Sequence, residues 1–108
     1  MVYRNRVILA GRLERDAEIR YTPRGKPVIF LTLSLPSERL VEASFPCEDV
    51  SIRVMLVGEE SAVWAQREGK AGGNVLVEGG LIQRRWETAE GNVKREIGVI
   101  ADGVKDLR

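Results

Sequence analysis

Short apolar segments separated by glycine, proline and polar residues make up most of this sequence, and they leave room for only one helix. Residues 50–57 give the clearest strand signal, because aliphatic side chains occupy every second position from Val50 to Leu56. Further strands are predicted at residues 6–13, 28–35, 74–86 and 93–101. Residues 18–22 are predicted to extend the first strand, and Gly11 within that strand indicates a bend at the corner of a barrel.

The remaining segments predict one helix, two turns and a loop. Residues 59–68 are the helical candidate, with acidic side chains in the first turn and Gly69 placed to end it. Turns are predicted at 23–27 and 88–92, and the second of these joins the last two strands into a long hairpin. Residues 36–49 have no clear period and are predicted to form a loop, a candidate mobile segment. An all-β chain of five strands, with one short helix between strands 3 and 4, has the order of an OB-fold barrel.

Length and cysteine content place the chain in a broad class. The 108 residues fit a single OB-fold domain that spans 1–108. No apolar run approaches the ~20 residues of a membrane span, and the first apolar run is too short for a secretory signal. The single cysteine, Cys47, cannot form an internal disulfide and suits a reducing compartment. We therefore expect a cytoplasmic protein with no membrane association.

The absence of histidine removes several classes of functional site. Metal sites built from histidine, Ser-His-Asp triads and histidine general acids are all excluded. Glu59 and Glu60 lie at the predicted helix start, where carboxylates usually stabilise the helix, and Cys47 has no activating base nearby in sequence. We therefore expect no catalytic residue, no metal and no cofactor. An enzyme that uses carboxylates alone is the alternative that the composition leaves open.

Charge is distributed unevenly along the chain, although the formal net charge is only +1. Residues 1–36 contain seven basic and three acidic side chains, whereas residues 37–69 contain three basic and seven acidic ones. Residues 70–108 contain seven basic and six acidic side chains. An anionic partner would therefore bind the first and last segments, although such segregation is also common on solvated surfaces.

Three stretches of the sequence resemble the bacterial single-stranded DNA-binding protein family. They are NRVILAGRL at 5–13, RDAEIRYTPRGK at 15–26, and VLVEGGL at 75–81 with the RRW that follows at 84–86. The match covers nearly the whole chain at consistent spacing. It implies an OB fold that forms homodimers or homotetramers and binds single-stranded DNA without sequence preference. It also implies a role in DNA replication, recombination or repair, with no enzymatic activity and a nucleoid location.

The resemblance also assigns roles to individual residues. Trp86 matches an aromatic residue on which a base stacks, Arg84 and Arg85 match basic residues that contact phosphate, and Arg53 matches an arginine of the third strand. A regular strand would point Arg84 and Arg85 to opposite faces, so one of them could be simply solvated. The residues expected at the nucleic-acid interface are Trp86, Arg84, Arg85, Arg53, Met55, Arg20, Tyr21 and Lys94.

The sequence departs from that family at three positions of the third strand and the following turn. Ser51 lies where a stacking tryptophan is usual, Val57 lies where another aromatic is usual, and Glu59 replaces a frequent lysine. Each stacked base contributes ~1–3 kcal/mol, so the loss of two aromatic rings predicts weaker binding by each subunit. Oligomerisation could recover part of that loss through multivalency.

The end of the sequence favours a second interpretation. Members of the family usually continue into a flexible tail with an acidic tip that recruits partner proteins, and no C-terminal acidic tail follows here. The primosomal replication protein N family has the same barrel, no tail and fewer stacking aromatics. The alternative function is therefore a primosomal adaptor that mainly contacts other proteins, such as a replication-restart helicase. The sequence leaves open dimer against tetramer and DNA against RNA.

The other aromatic residues are expected to have structural roles. Trp64 lies in the predicted helix beside small apolar residues and is expected to pack against the end of the barrel. Phe30 is predicted to be a core residue, and Phe45 is predicted to anchor the loop. Tyr21 could either stack on a base or pack against the barrel.

Overall fold

A computed structural model describes residues 4–37 and 48–107 of the chain. Its elements are β1 (Val7–Leu13), β2 (Glu18–Tyr21), β3 (Pro27–Leu35), β4 (Val50–Val57), α1 (Glu59–Glu68), β5 (Asn74–Glu87) and β6 (Val93–Leu107). Most of the predicted loop, with Phe45 and Cys47, lies outside the described residues. Within 4–37 and 48–107, no helix has the length and apolar character needed to cross a bilayer.

The strands pair in a ring. The sheet order is β1-β5-β6-β4-β3-β2, and β1 also pairs with β3, which closes the circuit. All pairings are antiparallel except that of β4 with β6, where Val54 lies opposite Val99. β2 lies outside this ring and pairs only with β3 among the described strands. The five strands of the ring, with α1 between β4 and β5, are the predicted five strands and one helix in the predicted order.

The core fills the inside of this ring because each strand turns alternate side chains inward. The fully buried side chains are Leu13, Pro27, Ile29, Leu31, Leu33, Val54, Val75, Val77 and Val99. Ala62 and Ala65 of α1 are buried against the same cluster, so the helix covers one end of the ring. The indole N–H of Trp64 donates to Oδ1 of Asp106 at 3.1 Å, which ties α1 to the end of β6. The predicted packing role of Trp64 agrees with this contact.

The helix begins and ends where the sequence predicts. Glu59 and Glu60 occupy its first turn, and Gly58 precedes it with φ of 112°, a conformation that glycine adopts without strain. At the other end the N–H of Gly69 donates to the carbonyl of Ala65 at 3.0 Å.

Two features fix the pairing of β5 with its neighbours. The side chain of Asn5 donates to the carbonyl of Leu81 at 2.8 Å and accepts from its N–H at 2.7 Å, two positions beyond Val7 and Gly79, the last pair of the β1–β5 ladder. A shift in register between Glu78 and Gly79 marks a bulge in the β5–β6 pairing. At that bulge the strands approach so closely that a Cβ on Gly79 would collide with the carbonyl oxygen of Ile100.

The structure corrects three sequence-based predictions. Residues 18–22 do not extend the first strand, because β2 pairs with β3 as a separate strand. The last strand continues past residue 101 to Leu107, since β5 supplies a partner for each half of it. Phe30 is not a core residue: it follows buried Ile29 on β3, so its side chain points to the other side of the sheet.

Candidate nucleic-acid interface

One side of the sheet brings basic and aromatic side chains together. We call it the outer face, the side of β2–β6 turned away from the core. Its residues include Arg20, Phe30, Arg53, Met55, Arg84, Trp86 and Lys94. Register places them: Phe30 lies opposite Met55, and Thr32 beside it lies opposite Arg53. On the long hairpin, Trp86 lies opposite Lys94.

Three guanidinium groups surround the Phe30 ring. The Cζ atoms of Arg20, Arg53 and Arg84 lie 5.1, 5.3 and 5.6 Å from the ring centroid, within the ~6 Å of a cation–π contact. We call these four residues the arginine cluster. They come from β2, β3, β4 and β5, so the pairing of the strands in the sheet brings them together. The cluster concentrates positive charge on a protein whose net charge is only +1.

Trp86 extends this cluster along the hairpin. Arg84 Cζ lies 5.3 Å from the centroid of the Trp86 ring, so one guanidinium contacts both aromatic residues. The Trp86 side chain is 41% exposed, and it therefore presents ring surface to solvent instead of filling the core. An exposed ring beside a guanidinium is suited to stacking a base while the cation contacts the backbone.

Two of the three arginines have acidic partners. Arg20 pairs with Glu18 at 3.0 Å, and Arg84 pairs with Glu96 at 3.4 Å. Arg53 differs, because the structure gives it no ion pair within the described residues. Its Nε–H is buried and has no hydrogen-bond partner in the same part of the chain. A guanidinium without an acidic partner attracts anions, so an anionic ligand would be favoured near Arg53.

Three predicted interface residues do not present an accessible side chain on the outer face. Arg85 lies opposite Arg95 on the other side of the hairpin, as alternation with Arg84 requires. Tyr21 is 63% exposed but lies opposite Pro27, whose side chain is buried toward the core, so it points away from Arg20. Met55 is on the outer face but only 8% exposed, and it offers little surface on which a base could stack.

Phe30 is the residue that sequence reasoning placed wrongly. The run Val28 to Leu35 is apolar almost throughout, which hides which alternate positions face the core. The available signal was the pair Thr32 and Ser34, two polar residues that share the parity of Phe30 and distinguish that side of the strand from the apolar side facing the core.

The two positions where aromatic residues are missing have distinct surroundings. The Ser51 hydroxyl donates to Oε2 of Glu14 at 3.1 Å, so a carboxylate occupies that end of the outer face. Val57 is exposed at the other end of β4. Phe30, opposite Met55, lies between these two positions in the register of β3 with β4.

Comparison with known proteins decides the family. The model of the single-strand binding protein family matches residues 4–107 of this chain. The chain belongs to the single-strand binding protein family. The resemblance of its first and last segments to that family is thereby confirmed.

Curated members of the single-strand binding family resemble the chain over most of its length. A single-stranded DNA-binding protein of Thermotoga maritima is 35% identical over 108 residues, which cover 97% of this chain and 74% of that protein. The protein of the same name from Aquifex aeolicus is 36% identical, covering 94% of this chain and 68% of that one. The one from Deinococcus radiodurans is 35% identical, and the match covers only 35% of its length.

A solved structure confirms the predicted OB fold. "Plasmodium falciparum SSB complex with ssDNA" superposes with a TM-score of 0.84 and 18% sequence identity. The match covers 100% of this chain and 98% of that one. At this identity the likeness establishes the fold and its strand order, and the site must be argued from the residues themselves.

Proposed function

We propose that this protein binds single-stranded DNA without sequence preference, in replication, recombination or repair. The observation that carries the proposal is the outer face, where three guanidinium groups surround the Phe30 ring and one of them, that of Arg84, also contacts the exposed Trp86 ring. Guanidinium groups release counterions from phosphates, and an exposed ring stacks any base because every base has a π face. Membership of the single-strand binding family supports the same conclusion.

Binding of this kind makes and breaks no covalent bond, so it requires no catalytic group. Nothing in the arginine cluster pairs a nucleophile with a base, and the chain contains no histidine. We therefore propose a binding protein without enzymatic activity, present in the cytoplasm where chromosomal DNA is exposed as single strands.

Self-association is part of the same proposal. The edge of β1 from Val7 to Gly11 has no second partner strand in the described part of the chain, since β1 meets β3 only at Arg12 and Leu13. Ile8 lies on that strand and is 58% exposed. An unpaired edge with an exposed aliphatic side chain favours pairing with another strand, so we propose a homodimer or homotetramer.

A role as an adaptor is the second candidate. Ser51 and its hydrogen bond to Glu14 place no aromatic ring at one end of the outer face, which reduces the stacking surface. The reverse side of the hairpin exposes Leu81 and Ile97, apolar side chains that a protein partner could cover. A replication-restart helicase would be such a partner.

The test is a binding titration of fluorescently labelled oligo(dT) against a duplex of the same length, at low and high salt. We expect tighter binding to the single strand, weakening steeply with salt. Trp86→Ala should reduce the affinity for oligo(dT) by ~1–3 kcal/mol, whereas Arg95→Gln on the reverse side of the hairpin should change it little. If the oligomeric parent protein fails to bind oligo(dT) at low salt but captures a helicase, the adaptor role replaces the first proposal.

A further inference from the structure

We infer that Phe30 is a positioning residue that gathers Arg20, Arg53 and Arg84 into one phosphodiester-binding site. The inference rests on the proposed function and goes further, since it names the site on the outer face at which the backbone is held. It also gives a role to the aromatic ring that lies between the positions of Ser51 and Val57.

Three arginine side chains converge on the Phe30 ring. The three Cζ atoms all lie within 5.6 Å of one ring centre. Three like charges repel one another, so their approach needs a compensating attraction. The negative face of an aromatic ring supplies it, since a guanidinium is attracted to that face and each contact is stabilising. Without the ring, the attraction that draws the three guanidinium groups to one point is lost.

The positive charge of the arginine cluster is only partly neutralised. Glu18 pairs with Arg20 and Glu96 pairs with Arg84, but three cations share these two carboxylates in the described structure. The buried Nε–H of Arg53 has no partner in the described residues. A phosphate oxygen that contacts the guanidinium of Arg53 would neutralise the excess charge.

The carboxylates that pair with the arginine cluster can be exchanged for phosphate. Both ion pairs are partly exposed, and such pairs contribute little to stability. A phosphodiester can therefore displace Glu18 or Glu96 at small cost and accept hydrogen bonds from the freed guanidinium. Without DNA the carboxylates hold the arginines; with DNA, phosphate oxygens replace them.

The arginine cluster is continuous with the Trp86 ring. Arg84 contacts both the Phe30 and Trp86 rings, so a phosphate held by the arginine cluster lies next to the ring proposed to stack a base. One nucleotide unit could then be bound through its base and its phosphate together.

The test compares Phe30→Leu with Phe30→Tyr by the salt dependence of oligo(dT) binding. Each phosphate contact contributes about 0.7 to the slope of log K against log salt for a single strand. Phe30→Leu should lower that slope by about 0.7 or more, and Phe30→Tyr, which retains the ring, should restore it. Arg53→Gln on the adjacent strand should lower the slope by about 0.7 without changing the Phe30 side chain.

Two results would overturn the inference. If Phe30→Leu weakens binding equally at every salt concentration, Phe30 is itself a stacking surface. If folded Phe30→Leu protein binds like the parent, the ring has no role. Thermal unfolding of each variant shows whether it is folded, and Arg53→Gln tests the site independently should Phe30→Leu fail to fold.

A second measurement separates this inference from the proposed function. The arginine Nε–H signals are followed by NMR while inorganic phosphate is added, and the Arg53 signal is expected to shift more than that of Arg95. This result can be obtained even if the parent protein does not bind oligo(dT), and no selective shift of Arg53 would count against the site. Oligo(dT) with and without a 5′-phosphate should bind equally, because an internal phosphodiester is the ligand; a clear preference for the phosphorylated end would contradict that.

Discussion

Arg84 Cζ lies 5.3 Å from the centroid of the Trp86 ring, two positions further along the same strand. Because the same guanidinium also contacts Phe30, it connects the hairpin to the outer face of the ring of strands. The exposed indole is therefore held at a defined place relative to the basic side chains, and that placement is what the proposed binding requires.

Replacement of Arg84 and of Arg85 should have unequal effects, since the two neighbours lie on opposite sides of the hairpin. We expect Arg84→Gln to lower the affinity for oligo(dT) and to reduce the salt slope by about 0.7, the value for one phosphate contact. Arg85→Gln is its matched control and should bind nearly as the parent does. Fluorescence anisotropy over a series of salt concentrations measures both, and an equal or larger loss for Arg85→Gln would show that DNA follows the other side.

An aromatic residue at position 51 should strengthen binding. Ser51 is exposed on the outer face and lies opposite Ser34, so a larger ring there displaces no core side chain. Ser51→Trp should raise the affinity for oligo(dT) by up to ~1–3 kcal/mol, the contribution of one stacked base. Ser51→Ala removes the same hydrogen bond to Glu14 without adding a ring, and should leave the affinity near that of the parent. If Ser51→Trp does not raise the affinity, the bound DNA strand does not cross this end of the outer face.

Addition of a methyl group at Gly79 should destabilise the fold. A Cβ there would collide with the Ile100 carbonyl oxygen and lie 2.8 Å from Ala101 Cα, and both are backbone atoms that cannot move aside singly. We expect Gly79→Ala to lower the free energy of unfolding by ~1–3 kcal/mol, as overpacking does. Gly103→Ala is the control on the same hairpin, because nothing lies within 4 Å of its added Cβ. Urea unfolding measures the free energy of unfolding of both variants. Equal values for the two would contradict the close approach of the strands at the bulge.

Loss of the Asp106 carboxylate should weaken the attachment of α1 to β6 and destabilise the fold. Its Oδ1 accepts from the indole N–H of Trp64 at 3.1 Å, and that partly buried donor would be left without a partner. Asp106→Ala should lower the free energy of unfolding by about 0.5–1.5 kcal/mol. Asp102→Ala changes an exposed aspartate of the same strand and should have little effect. Thermal unfolding followed by circular dichroism compares the two, and matching curves would contradict a structural role for this bond.

Sequence reasoning succeeded where the signal is local. The alternation from Val50 to Val57 and the glycine after the helix both reflect single elements, and β4 and α1 have the predicted bounds. It failed where a segment forms a strand only because a neighbouring strand pairs with it. The segment after residue 101 has little apolar alternation, yet it is a strand because β5 lies beside it.

The arginine cluster could not be derived from the sequence. Its members come from four different strands, and no two of them are neighbours in sequence: Arg20, Phe30, Arg53 and Arg84. Arg20, Arg53 and Arg84 are predicted from the sequence as separate members of the nucleic-acid interface, but their convergence on one ring depends on the order in which the strands pair and on which side of β3 faces the core. The interface residues themselves stay a prediction until binding is measured.

The central claim is that an unpaired strand lies on the outer face with a base on Trp86. The chain's two tryptophans allow a direct test, because each gives one indole N–H signal in a proton–nitrogen NMR spectrum. On addition of oligo(dT), the account predicts a large shift of the Trp86 signal and little change for Trp64, whose N–H is held by Asp106. A shift of Trp64 with Trp86 unmoved, at oligonucleotide concentrations that saturate the protein, would contradict it.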